Sequence, residues 1–422
     1  MKLTKATFIT GFALFSLFFG AGNLIFPPFL GYNAGEGWFW VAIGFLISAV
    51  VIPIMAIQAH ARLQGTMMDF GKKVSPAFAL IYSLIVYVIS IALPSPRTAS
   101  VTYEMAVQPY FDFPSWGLSS VYFLMVLVFV LNRSKIVNIM GKFLTPAIIL
   151  LLGSIICIGL FGNDEPFRAS TFDHNFTGGL LEGYQTFDAI GGVLVGGVLV
   201  ISCGFMTDSL VDRRRIIARA GLMAGFGFFI MYLGLIALGA ANSGVLEVTN
   251  RTDLLGQLSL NTLGSMGRAA LGILVALACF TTAVGIVTGT ADFFKGLFKS
   301  QRAYVITAVI SCLLGVVIGQ FDVHYIVEVA IPALRFIYPI TIVLILLNVI
   351  PERFASPLVF KIVVAITILF SMPDFLASIG YAEITAPIQS FLPLGDITLG
   401  WLLPALTGFV LSNVLLLRKQ VD

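Results

Sequence analysis

The chain has 422 residues, of which 58% are hydrophobic and only 11% charged, with a mean hydropathy of +1.00 and a formal net charge of +3. Soluble domains average roughly 45–50% apolar and about 25% charged residues, so a water-soluble fold is excluded and the solvent is lipid. Cys157, Cys203, Cys279 and Cys312 sit in apolar runs without a CxxC pair, and His60, His174 and His324 are scattered; this argues against disulfides, metal clusters and an embedded enzyme, and no basic aromatic patch points to nucleic acid.

A spanning helix needs about 20 mostly apolar residues. Helices are therefore expected near 5–30, 37–59, 75–106, 115–132, 136–162, 180–207, 215–241, 267–297, 301–320, 324–350, 358–379 and 396–417. The first run follows Lys2 and Lys5 and reads as an uncleaved helix, because no small-x-small cleavage site ends it. Segments 163–179, 242–266 and 380–395 read as loops with room for short surface helices. With the N-terminus inside, 19 of the 24 Lys and Arg, including the triplet Arg213-Arg214-Arg215, fall on the cytoplasmic side. Arg168, Arg251 and Arg268 fall outside, and Arg97 and Arg335 within helices. That sorting favours an even number of spans with both termini cytoplasmic.

Helix 1 carries Phe18-Phe19-Gly20-Ala21-Gly22-Asn23-Leu24-Ile25-Phe26-Pro27-Pro28. Two glycines and a proline pair near mid-membrane oppose a continuous helix, and broken backbone at that depth is tolerated only where it lines a cavity or is buried in protein. Freed carbonyls can hold a cation or ammonium group, and freed N–H groups a carboxylate. The plainer alternative is a proline kink with glycine packing. In helix 3, Pro94-Ser95-Pro96-Arg97 places an arginine in the membrane, with Glu104 or Asp188 as its candidate counter-charge. Helix 6 repeats the interruption in Thr186-Phe187-Asp188-Ala189-Ile190-Gly191-Gly192. A carboxylate there needs a partner, water or substrate, or else caps the second half-helix.

In helix 8, Cys279-Phe280-Thr281-Thr282 offers adjacent hydroxyls to a small cation, unless each merely bonds its own i−4 carbonyl. Glu328 and Arg335 of helix 10, two turns apart, read as a structural pair. Helices 1 and 6 lie five spans apart, and an odd offset turns the second copy upside down, as inverted repeats require.

The segments FFGAGNLIFPPFLG, PRTASVTYEM, GYQTFDAI and ALACFTTAVG together resemble the bacterial branched-chain amino acid carrier family, and the resemblance spans essentially the whole chain. It implies an all-α polytopic membrane protein of about 12 helices with a LeuT-like 5+5 inverted repeat and broken helices 1 and 6. The repeats would cover 1–162 and 163–350, with two further helices in 351–422. It further implies a symporter for leucine, isoleucine and valine in the bacterial inner membrane, without a cofactor and with sodium as the coupling cation. Substrate would lie against Ala21, Gly22, Asn23, Thr186, Phe187, Asp188, Ala189 and Gly191. Sodium would take helix 1 carbonyls of Ser16 and Phe19, the hydroxyls of Thr281 and Thr282, and a carbonyl of Cys279 or Ala278. Helix 6 is richer in glycine (Gly191, Gly192) than the family pattern leads one to expect. Proton coupling through Asp188, transport of other small neutral amino acids and a non-transporting receptor of the same fold are the alternatives.

Overall fold

The computed structural model describes residues 3–132, 136–161 and 166–418. Lys2, Arg133, Lys135 and Lys419, counted above among the cytoplasmic charges, lie outside the described residues, as does the boundary expected at 162–163. Every regular element among the described residues is helical, and each expected span has a counterpart. Helix 1 is Leu3–Phe18 with Ala21–Ala34, and helix 2 runs from Trp38–Leu46 through a π turn into Ile52–Leu63. Helix 3 joins Pro76–Ala92 to Pro94–Thr102 and ends in a π turn, Tyr103–Val107; helices 4 and 5 are Ser115–Asn132 and Ile136–Leu160. Helix 6 is Asn175–Tyr184 with Asp188–Gly204, and helix 7 is Leu210–Ala241. Helices 8, 9 and 10 are Arg251–Phe298, Gln301–Ile318 and Val323–Val349. Helix 11 is Pro357–Leu376, followed by Ala382–Phe391, and helix 12 is Leu402–Arg418.

Among the described residues, eight helices are long and apolar enough to cross a membrane, and nine if the bent pair of helix 6 counts as one span. The second half of helix 1 runs on into helix 2 as one of the eight, Ala21–Leu63, whereas its first half, Lys5–Phe18, and the apolar parts of helices 5 and 12, Pro146–Leu160 and Leu402–Leu416, are shorter. Phe226, Ile230, Leu313, Val317, Leu411 and Leu415 point outward, a surface that lipid accommodates and water does not.

Helix 8 begins well before the expected 267. Asn250 caps it, its side chain accepting the Asp253 N–H at 2.8 Å, and Gly264 then breaks it with φ 70° and ψ −169°. The polar start reads as loop from sequence; residues 251–263 are instead helical, and not on the surface, since Leu254, Leu255, Leu258 and Ser259 are buried.

Helix 1 lies along helix 7, and helix 6 along helix 2, the exchange of partners that two halves related by a two-fold axis would make. Both contacts bring backbones together at glycine. A Cβ on Gly31 would lie 1.9 Å from the Ile236 carbonyl oxygen, and one on Gly239 would lie 1.8 Å from that of Pro28. Between helices 6 and 2, Gly179 and Gly44 make the equivalent approach, each 2.0 Å from a partner carbonyl oxygen. Close helix contact at small residues replaces the hydrophobic drive that lipid does not supply. Two large apolar clusters result, one containing Ala21 and Leu24 of helix 1, the other Phe187 and Ala189 of helix 6. The helix 1 break lies in the first cluster, between Phe19 and Ala21, and the helix 6 break in the second, between Tyr184 and Ala189. Cys203, Cys279 and Cys312 are buried as expected, but Cys157 is exposed.

Candidate functional site

The interruption of helix 1 is the pair Phe19-Gly20, earlier than the proline pair suggested. Gly20 adopts an extended conformation (φ −108°, ψ −166°) and its N–H donates to Asn23 Oδ1 at 3.3 Å. Ala21, Gly22 and Asn23 form the first turn of the second half, where backbone N–H groups have no intrahelical acceptor. Pro27 and Pro28 lie inside that half; lacking N–H groups, they leave the carbonyls of Asn23 and Leu24 without their i+4 donors.

Helix 6 bends by 41° at its break, where Phe187 takes a left-handed conformation (φ 62°, ψ 13°). A non-glycine residue there stores strain of the kind found at binding sites. Thr186 Oγ1 donates to the Gly183 carbonyl at 2.8 Å and accepts the Asp188 N–H at 3.3 Å. Asp188 is the first helical residue, and Phe187 precedes it as the cap. Its carboxylate does not cap the helix but crosses to helix 1. Asn23 Nδ2 donates to its two oxygens at 2.9 and 2.8 Å, and the Tyr232 hydroxyl donates to Oδ2 at 3.1 Å. Asn23 Nδ2 also meets the Tyr232 hydroxyl. All three side chains are buried.

Arg97 is brought to the same place by helix 3, which kinks at Leu93 before Pro94 starts its next segment. Its Nη1 donates to the Gln185 carbonyl at the helix 6 break at 2.8 Å. Its guanidinium lies 5.0 Å from the Phe26 ring and 5.3 Å from the Phe187 ring. Neither sequence-suggested counter-charge bonds it. Glu104 instead accepts the Thr252 hydroxyl and the Val323 N–H, the latter at 2.8 Å, tying helix 3 to the starts of helices 8 and 10. Beside this tie, Glu104, Gln108, Asn250, Asp253 and Arg268 line a cavity of about 320 Å³. Glu328 does not pair with Arg335 either: it meets His324, one turn back, at 3.2 Å, because seven residues span too much helix for the two side chains.

Of the remaining expected substrate residues, Ala189 is fully buried and Gly191 faces Phe18, whose ring a Cβ would meet at 3.5 Å. Those two line the packing behind the break. Ser16 and Phe19 of helix 1 and Ala278 and Thr281 of helix 8 line a cavity of about 10 Å³ with Leu144 and Ile148, about one water in size. Thr281 and Thr282 both donate to the Ala278 carbonyl at 2.9 Å. Thr282 is not among the lining residues; its side chain covers Gly20, where a Cβ would come within 3.1 Å of its Oγ1. Cys279 is absent from the lining as well. Of the two carbonyl candidates, Ala278 is the one at the cavity.

Tyr232, Gln185 and the ion pair between Arg251 and Glu182 (2.7 Å) were not singled out from sequence. Tyr232 lies within an apolar run, and its one signal is a hydroxyl needing a partner when buried.

The sequence matches the family described as branched-chain amino acid transport protein over residues 3–419. The chain belongs to that family. As a family member it is a transport protein and not an enzyme. Its relatives include the branched-chain amino acid transport system 2 carrier protein of Pseudomonas aeruginosa, 32% identical over 96% of this chain and 94% of that one. The branched-chain amino acid permease BraB of Bacillus subtilis is 33% identical over 98% of this chain and 96% of its own. Among solved structures, a Na+-coupled sialic acid symporter in a substrate-bound outward-open state is similar with a TM-score of 0.61 at 15% identity, covering 97% of this chain and 90% of that one. Inward-facing Mhp1 gives 0.58 at 13% identity over 97% and 91% of the two chains. MhsT in complex with L-phenylalanine gives 0.57 at 17% over 95% and 97%. This branched-chain amino acid transport family member thus shares the fold of LeuT-type transporters.

Proposed function

We propose that the protein imports leucine, isoleucine and valine together with sodium by alternating access, from the bacterial inner membrane with both termini cytoplasmic. The observation carrying this reading is the meeting of the two broken helices, Asn23 on one and Asp188 on the other, beside the small cavity between helices 1 and 8. Substrate polar groups would be held by Ala21, Gly22 and Asn23 and by Thr186 to Asp188. Phe187 adds an apolar wall, with Ala189 and Gly191 behind it. Ser16, Phe19, Thr281 and Thr282 would serve the cation, with Ala278 preferred to Cys279. The repeats are assigned to 1–162 and 163–350, with 351–422 appended.

A zwitterionic substrate carries no net charge, so the cation supplies the work. At 100 mV that is about 2.3 kcal/mol, and a tenfold ion gradient adds about 1.4 kcal/mol. One ion therefore supports a few-hundred-fold accumulation. An apolar pocket separates single methylenes by only about 1–3 kcal/mol, so the three substrates compete. The test is counterflow of labelled leucine, isoleucine and valine in proteoliposomes with and without sodium. Mutual competition and sodium stimulation are expected. The buried Asp188 carboxylate favours one rival, proton coupling; uptake that follows pH and ignores sodium would replace the sodium reading with it.

A further inference from the structure

We infer that Arg97 is the residue that receives the substrate's α-carboxylate, facing Asp188, which takes the α-ammonium group. The inference rests on the transport reading above and names the specificity determinant of its site. Arg97 is 3% exposed, and a charge so deep in a membrane protein requires a partner. What it has is incomplete. One carbonyl accepts from Nη1, two phenyl rings lie near the guanidinium, and Nε is buried without any hydrogen-bond partner.

None of the ion pairs among the described residues includes Arg97. Asp188, the acid that acts on it electrostatically, has its carboxylate engaged by Asn23 and Tyr232. The guanidinium is therefore a fork of donors lacking the planar anion it is shaped to bind.

Its position fits that anion. A Cβ on Gly22 would come within 2.7 Å of Nη2, so the glycine lets the guanidinium reach the first turn of the second half of helix 1, where free backbone N–H groups also favour an anion. Asp188 sits at the other break with acceptor capacity left over, since a carboxylate offers about four lone-pair sites. A positive and a negative group flanking paired helix breaks are the complement of an α-amino acid. Gln185 Oε1, buried without a donor, adds an acceptor at the helix 6 break. Admitting the carboxylate requires the Phe26 or Phe187 ring to swing off the guanidinium.

The test compares leucine with leucinamide, which keeps the ammonium group and side chain but replaces the carboxylate by a neutral amide. Each competes against labelled leucine for the purified full-length carrier in sodium. The wild type is expected to prefer leucine by roughly 10- to 150-fold, the worth of a hydrogen bond to a charged group. In Arg97→Gln that preference collapses toward unity, whereas a merely structural arginine would weaken both ligands equally and leave the ratio intact. An intact ratio overturns the inference while leaving the transport reading standing. Where Arg97→Gln cannot be purified, Gly22→Ala displaces the guanidinium without removing its charge and must narrow the same ratio; an unchanged ratio there also overturns it. Wild-type protein that binds no leucine at all defeats the transport reading first, and this inference with it.

Discussion

Asn23 uses both ends of its amide, Oδ1 on the Gly20 N–H and Nδ2 on the Asp188 carboxylate. It therefore fixes the local shape of one break while bonding the other. Asn23→Ala leaves Asp188 with the Tyr232 hydroxyl as its one side-chain donor among the bonds described here. Losing a hydrogen bond to a charged group costs about 1.5–3 kcal/mol, so leucine affinity should fall roughly 10- to 150-fold while the protein still inserts and purifies as a single species. Wild-type affinity measured by counterflow would count heavily against a helix 1 pocket. Asn23 and Asp188 both stood out in the sequence because each is polar in an apolar, glycine-interrupted run. Their contact did not, since 165 residues separate them and nothing local records it. Arg97 is legible as a buried cation in need of a partner, but its surroundings come from helices 1 and 6: Glu104 bonds Thr252 and Val323 instead, and Asp188 acts on it electrostatically without bonding it.

At the scale of whole helices, apolar length located each span, and the errors lie at boundaries where polar residues are helical. Arg251, Thr252 and Asp253 look like loop because a polar first turn resembles a loop until its cap at Asn250 is seen. The glycine content, read as a sign of close packing or broken helices, divides into distinct roles once the helices are placed. Gly31→Ala drives a Cβ to 1.9 Å from the Ile236 carbonyl, and backbone cannot yield as a side chain does. A loss of about 1–3 kcal/mol or more is expected, seen as a lower unfolding temperature in detergent. Gly285 of helix 8 has nothing within 4 Å of its Cβ position; Gly285→Ala should leave that temperature unchanged or raise it. Equal effects of the two substitutions would remove the close-approach explanation. The Arg251–Glu182 pair, with side chains only 14% and 21% exposed, clamps the start of helix 8 to the first half of helix 6. In the proposed orientation it lies on the outer side, where it would act as a gate. Glu182→Gln should relax it by about 1–2 kcal/mol, a 5- to 30-fold shift in population. In a background without the native cysteines, Ala21→Cys should then react correspondingly faster with an impermeant thiol reagent applied outside. No acceleration would show that the pair does not hold the gate.

For the molecule as a whole, the proposed sodium coupling requires that the cation bind one arrangement of the helices better than another, because a ligand shifts a conformational equilibrium only through differential affinity. The cavity between Ser16, Phe19, Ala278 and Thr281 lies between the first half of helix 1 and helix 8, so an ion held there would bind both elements at once. The Thr281 and Thr282 hydroxyls already donate to the Ala278 carbonyl, which from sequence looked like the alternative to ion binding. The two roles are compatible: a hydroxyl has one proton to donate and two lone pairs to offer, and the inward bond aims the oxygen. Thr281→Ala combined with Thr282→Ala removes both oxygens while keeping the helix. The double variant should lose sodium stimulation of leucine uptake and the stabilisation that sodium gives on heating, about 2.7 kcal/mol for an ion at 100 times its Kd. Sodium-independent leucine exchange should persist, because the proposed substrate contacts lie at Asn23, Arg97 and Asp188. Undiminished sodium dependence in reconstituted vesicles would remove the ion from this cavity. Loss of exchange together with sodium stimulation, in protein that remains folded, would mean that the hydroxyls serve the substrate site directly.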